Sequence, residues 1–237
     1  MDRERSLGEH LEELRNRLLM VIVVFFLFSV IGFYLSEDII KLIQADLFPE
    51  SVGVKLIASR PMEFLQTRLN VGLFFGVLFS LPVAIYQAMV FLRPALLEKE
   101  RRILLASVLG GSILFVSGVT FSYFVLMRFT LWFLASLVPE GILNLWSVGS
   151  FVSFVLLFSV AMGLVFQLPL VVILLLKLGI VGLEELKSMR RYVVVLVFVI
   201  AAVITPTVDP LTQTIVALPM LVLYEIGLVL GRFVEKR

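Results

Sequence analysis

The sequence contains no cysteine and only one histidine, His10, among its 237 residues. The lack of cysteine excludes a disulfide framework, a thiolate nucleophile and a thiolate metal site. Because the single histidine lies outside the apolar runs, no His pair can bind a metal and no His can activate an intramembrane serine. Neither of the glycine patterns that bind nucleotide phosphates occurs. If this chain moves anything, the energy therefore comes from elsewhere.

Charge is also scarce: 16% of the residues are charged and 60% are hydrophobic. An average soluble domain has about 25% charged and about 45 to 50% apolar residues, so this excess does not fit one soluble core. Uncharged stretches long enough to approach or exceed the roughly 30 Å hydrocarbon layer recur along the chain. They cover residues 18–35, 69–92, 103–127, 141–176, 192–208 and 210–224. The sequence predicts an all-α membrane protein with six transmembrane helices, of which the fifth and sixth are short.

Lys and Arg placement predicts the orientation of these helices. Four clusters, within 3–17, 93–102, 177–191 and 232–237, hold most of the 20 Lys and Arg residues. They alternate with the spans so that all four fall on one side, and by the positive-inside rule both termini are cytoplasmic. We expect one membrane domain over 1–237. Within it we expect an amphipathic cytoplasmic helix at 1–17, a first extracytoplasmic loop at 36–64, and a cytoplasmic tail at 232–237.

Proline and small residues indicate how the helices bend and pack. Pro82, Pro169 and Pro219 lie inside predicted spans, where kinks or local unwinding are expected. Small residues at four-residue spacing let helices approach closely. These pairs are Gly72 and Gly76, Gly118 and Ser122, Ser159 and Gly163, and Gly227 and Gly231. Packing within the chain is favoured over a dedicated oligomerisation face.

Two carboxylate clusters lie on the predicted cytoplasmic side. Glu13 belongs to the amphipathic segment, and Glu100 to the short connection between the second and third spans. Either cluster can be structural, as an interfacial anchor or as a mixed charge run that pairs internally. A free carboxylate would accept an incoming cation, and a guanidinium suits it better than an ammonium because its fork matches the carboxylate.

Four polar side chains fall within or beside predicted spans: Gln87, Gln167, Gln213 and Glu225. Ionisable groups at such depth normally face a protein interior or a wet cavity, and they are functional hypotheses by default. Glu225 is the sharpest of these hypotheses. Satisfaction of Glu225 by a neighbouring side chain is an equally open reading.

Several residue strings, in order along the chain, resemble the TatC family, the signal-peptide receptor of the twin-arginine protein translocase. The first runs from His10 to Leu18 as His-Leu-x-Glu-Leu-Arg-x-Arg-Leu, and the second from Phe91 to Arg102 as Phe-x-x-Pro-Ala-Leu-x-x-x-Glu-Arg-Arg. The others are Thr205-Pro with Asp209 and Gln213-Thr, and Pro219 followed by Tyr224-Glu-Ile-Gly. The resemblance spans essentially the whole chain.

The resemblance implies a concave six-helix scaffold in the bacterial inner membrane, without enzymatic activity, cofactor or nucleic-acid partner. Such a scaffold recognises twin-arginine signal peptides of folded cargo, in a transport process linked to the proton motive force. It implies that Glu13 and Glu100 accept the arginine pair, with Arg15, Phe91 and Gln87 shaping the patch. Thr205 and Gln213 match positions where single-span subunits of the TatA/TatB type dock. Membrane lipid and further copies of the chain are the other implied partners. Gln167 stands where relatives often carry a buried glutamate, which puts any role needing a carboxylate there in doubt.

Two other functions compete with this reading. Glu225, Gln167 and the prolines are compatible with a proton-coupled transporter of small solutes, although such a site usually gathers several ionisable residues near mid-membrane. The chain can also be a structural membrane subunit with no recognition of its own. Binding of a signal peptide to the purified chain distinguishes these possibilities.

Overall fold

The structure is a computed structural model and consists mostly of helices. It describes residues 7–47, 54–92, 101–139, 142–177, 179–205 and 209–235. Five helical segments within these ranges are long and apolar enough to cross a membrane: Leu11–Leu47, Glu63–Ala88, Val108–Ser136, Val148–Lys177 and Pro210–Phe233. They match five of the six predicted spans. The remaining predicted span corresponds to helix α8, Arg190–Ile204, which has 15 residues and covers about 22 Å at 1.5 Å per residue.

The first helix is longer than the sequence predicts. Helix α1, Leu7–Leu47, has 41 residues and continues without a break from the amphipathic segment through the first span. The predicted boundaries at 17 and 36 are not helix ends, and 36–47 contains no Pro or Gly that would stop the helix. Instead, Ile40, Ile43 and Leu47 recur at helical spacing and are buried in the core.

Helix α2, Glu63–Leu92, lies antiparallel along α1. Arg17 near one end of α1 reaches Gln87 of α2, and Ser36 further along α1 reaches Arg68. Pro82 lies inside α2 without ending it. This hairpin carries most of the residues discussed below.

A small parallel sheet accompanies the helices, which make up most of the fold. Strand β1, Val54–Ile57, follows α1 and pairs in register with strand β2, Asn144–Ser147. Both strands lie in connections between helices, where the backbone N–H and C=O groups need partners outside a helix. The sheet therefore ties two distant connections together. The first turn of the next helix, which begins at Val148, follows β2 directly.

The third predicted span contains a change of helical type. Helix α3, Arg101–Phe121, leads into a π-helical segment, Ser122–Met127, and then into helix α4, Arg128–Ser136. Such segments insert one residue into a helical turn, and they often occur at functional sites. Leu126 and Met127 of the π-helical segment are buried in the core.

The fourth span is broken where proline predicts it. Helix α5, Val148–Val165, ends at a turn formed by Phe166 and Gln167, and helix α6, Leu168–Lys177, begins one residue before Pro169. The expected break is confirmed. The first N–H groups of a helix have no partner within it. A proline in this first turn, which lacks an N–H, therefore costs the helix no hydrogen bond.

The last helices form the other side of the bundle. Helix α7, Leu183–Ser188, precedes α8, and helix α9, Pro210–Glu235, packs against α6, α7 and α8. The prediction of a short sixth helix is wrong, because α9 has 26 residues and continues through Pro219 and Glu225. Glu225 ends the uncharged run without ending the helix, since its carboxylate is half-exposed and ion-paired.

Helix α5 forms the centre of the bundle, where Val152, Phe158 and Met162 are fully buried. Close helix contacts in this region depend on glycine. A Cβ on Gly118 of α3 would lie 2.7 Å from the Met162 carbonyl oxygen and 2.9 Å from the Gly163 Cα. The predicted role of small residues in packing within the chain is confirmed at this contact, because there is no room for one methyl group.

The connections that contain β1 and β2 meet at Glu63, which is 6% exposed. One carboxylate oxygen accepts the backbone N–H groups of Ser59 and Arg60, at 2.6 and 3.1 Å. The other accepts the Ser147 hydroxyl at 2.6 Å and the Gly149 N–H at 2.7 Å. Glu63 thus joins the start of α2 to the connection between β2 and α5. We call this arrangement the Glu63 junction.

Replacing Gly118 by alanine should destabilise the α3–α5 contact. Because the new Cβ meets backbone atoms, we expect a loss of about 1 to 3 kcal/mol in the free energy of unfolding. Gly110 of the same helix is the matched control, since a Cβ there meets nothing within 4 Å. Denaturation in detergent measures both variants. Equal stability of Gly118→Ala and Gly110→Ala would contradict the close contact.

Replacing Glu63 by glutamine should lower the midpoint of thermal unfolding. The amide places an NH₂ group where an oxygen now accepts N–H or O–H donors, so two of the four hydrogen bonds are lost. Fluorescence of Trp146 in β2 reports the change locally. Glu37→Gln is the control, because Glu37 is exposed and forms an ion pair with Lys41 on its own helix. The expectation fails if both variants unfold at the same temperature.

Candidate functional site

A cluster of hydrogen-bonded side chains joins α1 to α2 near the start of α1. The Arg17 guanidinium donates from Nε and Nη2 to Oε1 of Glu13, at 3.1 and 2.5 Å, and from Nη1 to Oε1 of Gln87 at 2.8 Å. We call it the Glu13–Arg17–Gln87 cluster. The side chains of Arg17 and Glu13 are 21% and 23% exposed, and Gln87 is buried. One carboxylate oxygen and one amide oxygen thus accept from the three nitrogens of one guanidinium.

The local sequence explains this geometry. Glu13 and Arg17 are four residues apart with the acid first, which is the favoured order for an ion pair on a helix. Met20, three residues further on, places its sulfur against the Gln87 amide nitrogen. The antiparallel path of α2 then brings Gln87 over this face of α1.

The other residues implied for ligand binding lie at different places. Arg15 is exposed and pairs with Glu12 at 3.4 Å, on another face of α1. Phe91 is half-buried and lies one helical turn after Gln87. Glu100 lies outside the described residues. The structure thus brings Glu13 and Gln87 together through Arg17, with Phe91 on the neighbouring turn.

Gln167 occupies the turn between α5 and α6. Its amide nitrogen donates to the Gly111 carbonyl oxygen of α3 at 3.0 Å, while its own Oε1 is buried and without a hydrogen-bond partner. The side chain therefore acts as a donor that satisfies a helix carbonyl. A neutral amide does this without introducing a charge.

Thr205 and Gln213 lie at the α8–α9 connection. Thr205 is buried and donates to the Ala201 carbonyl oxygen of its own helix at 2.9 Å. Gln213 of α9 donates to the Phe198 carbonyl oxygen of α8 at 2.8 Å. Since that carbonyl belongs to the last turns of α8, Gln213 holds this end of the short helix against α9.

Glu225 holds the opposite end of α8. Its carboxylate accepts from Arg190, the first residue of α8, at 2.6 Å, and both side chains are about half-exposed. The neighbouring Tyr224 hydroxyl donates to the Leu186 carbonyl oxygen of α7 at 2.7 Å. Of the two interpretations of Glu225, the geometry favours the structural one, in which a neighbouring side chain pairs with its carboxylate.

Sequence reasoning missed Arg17 as a site residue and missed Glu63 entirely. The signal for Glu63 is its position three residues after Arg60 and two after Pro61, which is typical of a carboxylate that caps a helix start. Glu63 also lines a polar cavity of about 480 Å³ between α2 and α5. Among the residues that the structure describes, no group of three or more His, Cys, Asp or Glu could hold a metal ion.

Comparison with known proteins identifies the family. The family model described as Sec-independent protein translocase protein (TatC) matches residues 9–219. The chloroplastic protein TATC of Pisum sativum is 40% identical over 94% of this chain, which spans 63% of the length of that relative. The TatC protein of Aquifex aeolicus is 36% identical over 98% of this chain and 96% of its own length.

A solved structure agrees with these relatives. The crystal structure of the twin-arginine translocase receptor TatC in DDM superposes with a TM-score of 0.85 at 37% identity, over 94% of this chain and 99% of that one. The resemblance that the motifs indicate is confirmed, and with it a role in protein transport through the Tat system. The chain belongs to the TatC family of Sec-independent protein translocase proteins.

Proposed function

We propose that this protein is the receptor subunit of a twin-arginine translocase, which binds twin-arginine signal peptides of folded cargo. The observation that carries the proposal is the Glu13–Arg17–Gln87 cluster. A guanidinium is already bound there, by two N–H groups to one carboxylate oxygen and a third to an amide oxygen. A lysine ammonium is a compact point charge without this planar fork, so the acceptors suit arginine better.

The binding patch includes residues on both sides of this cluster. Glu13 and Gln87 accept one arginine of the peptide, and Glu100, on the connection that follows Phe91, accepts the other. Phe91 supplies an aromatic surface on which a guanidinium can stack. Arg15 is exposed at the rim. The protein acts by binding and scaffolding, without a catalytic step or a cofactor.

The proposed topology has six spans with both termini in the cytoplasm of a bacterial cell, in its inner membrane. Helix α8 is the fifth span. At about 22 Å it is shorter than the roughly 30 Å hydrocarbon layer, so the bilayer would thin beside it. The four Lys and Arg clusters support this orientation.

Single-span subunits of the TatA/TatB type dock against α8 and α9. Helix α8 presents an apolar outer face, on which Val195 is 64% exposed and Val203 is 79% exposed. The side chains of Gln213 and Thr205 donate to carbonyl oxygens of α8 and so hold the backbone of this helix in place. Several copies of the chain work together in one complex.

A proton-coupled transporter is not favoured by the geometry. Glu225 is paired with Arg190 and is half-exposed, and Gln167 is neutral and donates to a helix carbonyl. Neither side chain is an ionisable group held ready at mid-membrane.

Peptide binding tests the receptor function directly. We expect a fluorescent twin-arginine signal peptide to bind the purified chain, and a twin-lysine version to bind more weakly. Glu13→Gln and Glu100→Gln should both weaken binding. The loss should be at least about 30-fold at Glu100, because a peptide guanidinium is left without its carboxylate, and smaller at Glu13, whose carboxylate also holds Arg17. Glu184→Gln is the charge-matched control, since Glu184 pairs with Lys187 on α7, away from the cluster. Binding indifferent to the Arg-to-Lys change would refute the proposal.

Docking of single-span subunits is tested at Gln213. The change Gln213→Leu removes the hydrogen bond to the Phe198 carbonyl oxygen, so α8 shifts and recovery of co-expressed single-span subunits falls about three- to tenfold. Thr214→Val is the control, because the Thr214 hydroxyl donates to the Pro210 carbonyl oxygen within α9. If both variants recover the subunits equally, Gln213 has no part in docking.

A further inference from the structure

The ion pair between Glu13 and Arg17 differs from the other pairs along α1. Its side chains are 21% and 23% exposed, whereas those of Arg15 and Glu12 are 66% and 65% exposed. An exposed pair on a helix contributes little, because water and salt screen it. Arg17 is held by a less solvated carboxylate and by a buried amide of another helix.

The acceptors that hold Arg17 belong to the proposed binding patch. Glu13 and Gln87 are two of its five residues, and Arg17 uses Oε1 of each. A peptide arginine that binds these acceptors in the way Arg17 does uses the same oxygens. It cannot take the geometry that Arg17 has while Arg17 remains there.

We propose that Arg17 is an internal ligand of the arginine site, which occupies it in the absence of cargo and is displaced by an arginine of the signal peptide. The inference rests on the proposed receptor function. It makes Arg17 a residue that determines affinity and selectivity, although sequence reasoning does not place it among the binding residues.

An internal guanidinium has two consequences for the site. It keeps the Glu13 carboxylate aligned when no peptide is present, so the peptide meets a formed site. It also requires every ligand to form hydrogen bonds that match those of Arg17, which the ligand displaces. An arginine replaces the hydrogen bonds of Arg17 one for one, whereas a lysine offers no planar fork and leaves acceptors unmatched.

Displacement leaves Arg17 with a short path to water. Its long aliphatic stem lets the guanidinium move to solvent while the stem stays on the apolar surface. The interhelical hydrogen bond to Gln87 passes from Arg17 to the peptide at the same time. Cargo binding therefore replaces one contact of the α1–α2 hairpin by a contact with the ligand.

The test compares peptide affinity in two variants of Arg17. With Arg17→Gln the competitor is gone, and we expect the twin-arginine peptide to bind about three- to tenfold more tightly. The preference for twin-arginine over twin-lysine should shrink. Arg17→Lys keeps the positive charge and loses the fork, and should also bind more tightly than the unaltered chain. Lys41→Gln is the control, because it removes the same charge from a pair on the other end of α1.

The possible outcomes separate the inference from the proposed function. If the unaltered chain shows no arginine-selective binding, the receptor function fails and the inference fails with it. If the unaltered chain binds selectively and both Arg17 variants bind equally or more weakly, only the inference is overturned. Tighter binding by Arg17→Gln with unchanged binding by Arg17→Lys would mean that net charge alone is responsible, and would also overturn displacement. Thermal unfolding confirms that the compared variants are folded.

Discussion

The structure depends on one constraint: inside a bilayer, no water is available to satisfy a polar group. The polar side chains described above have specific partners, apart from Oε1 of Gln167, which is buried without one. Gln167 donates to a carbonyl oxygen of α3, and Gln213 to one of α8. Glu63 accepts four hydrogen bonds where two connections meet. These contacts also determine which helices are neighbours, because each joins elements that are distant in sequence.

The same constraint explains how the helices touch. Lipid chains are as apolar as leucine, so burial of apolar side chains gives little drive for helix association within the layer. Close packing provides it instead. Gly118 and Gly163 bring α3 and α5 into direct contact, and the hairpin of α1 and α2 relies on Gly72 and Gly76 in the same way. The polar contacts select the partners, and the glycines allow the approach.

The sequence predicts what depends on composition and local chemistry. Five spans, the break at Pro169 and the glycine contacts follow from hydropathy, proline and residue size, and the structure contains all of them. The sequence does not predict where helices end when no Pro or Gly stops them, as at Ser36 and Glu225. The sequence also does not predict the pairing of β1 with β2, because parallel strands of four residues in two distant connections carry no local signal.

The site shows a further limit of reading residues one at a time. The resemblance to the family marks Glu13 as an acceptor and Gln87 as part of the patch, but Arg17 reads only as one more cation in a mixed segment. Its role depends on the distance to Gln87, 70 residues away, which only the fold supplies. A partly dry carboxylate without a partner is unfavourable, because burial penalises its charge. A receptor whose arginine site has no cargo therefore benefits from an arginine of its own. The affinity for cargo is then set by the difference in binding between the peptide guanidinium and that of Arg17, rather than by the full strength of the contact.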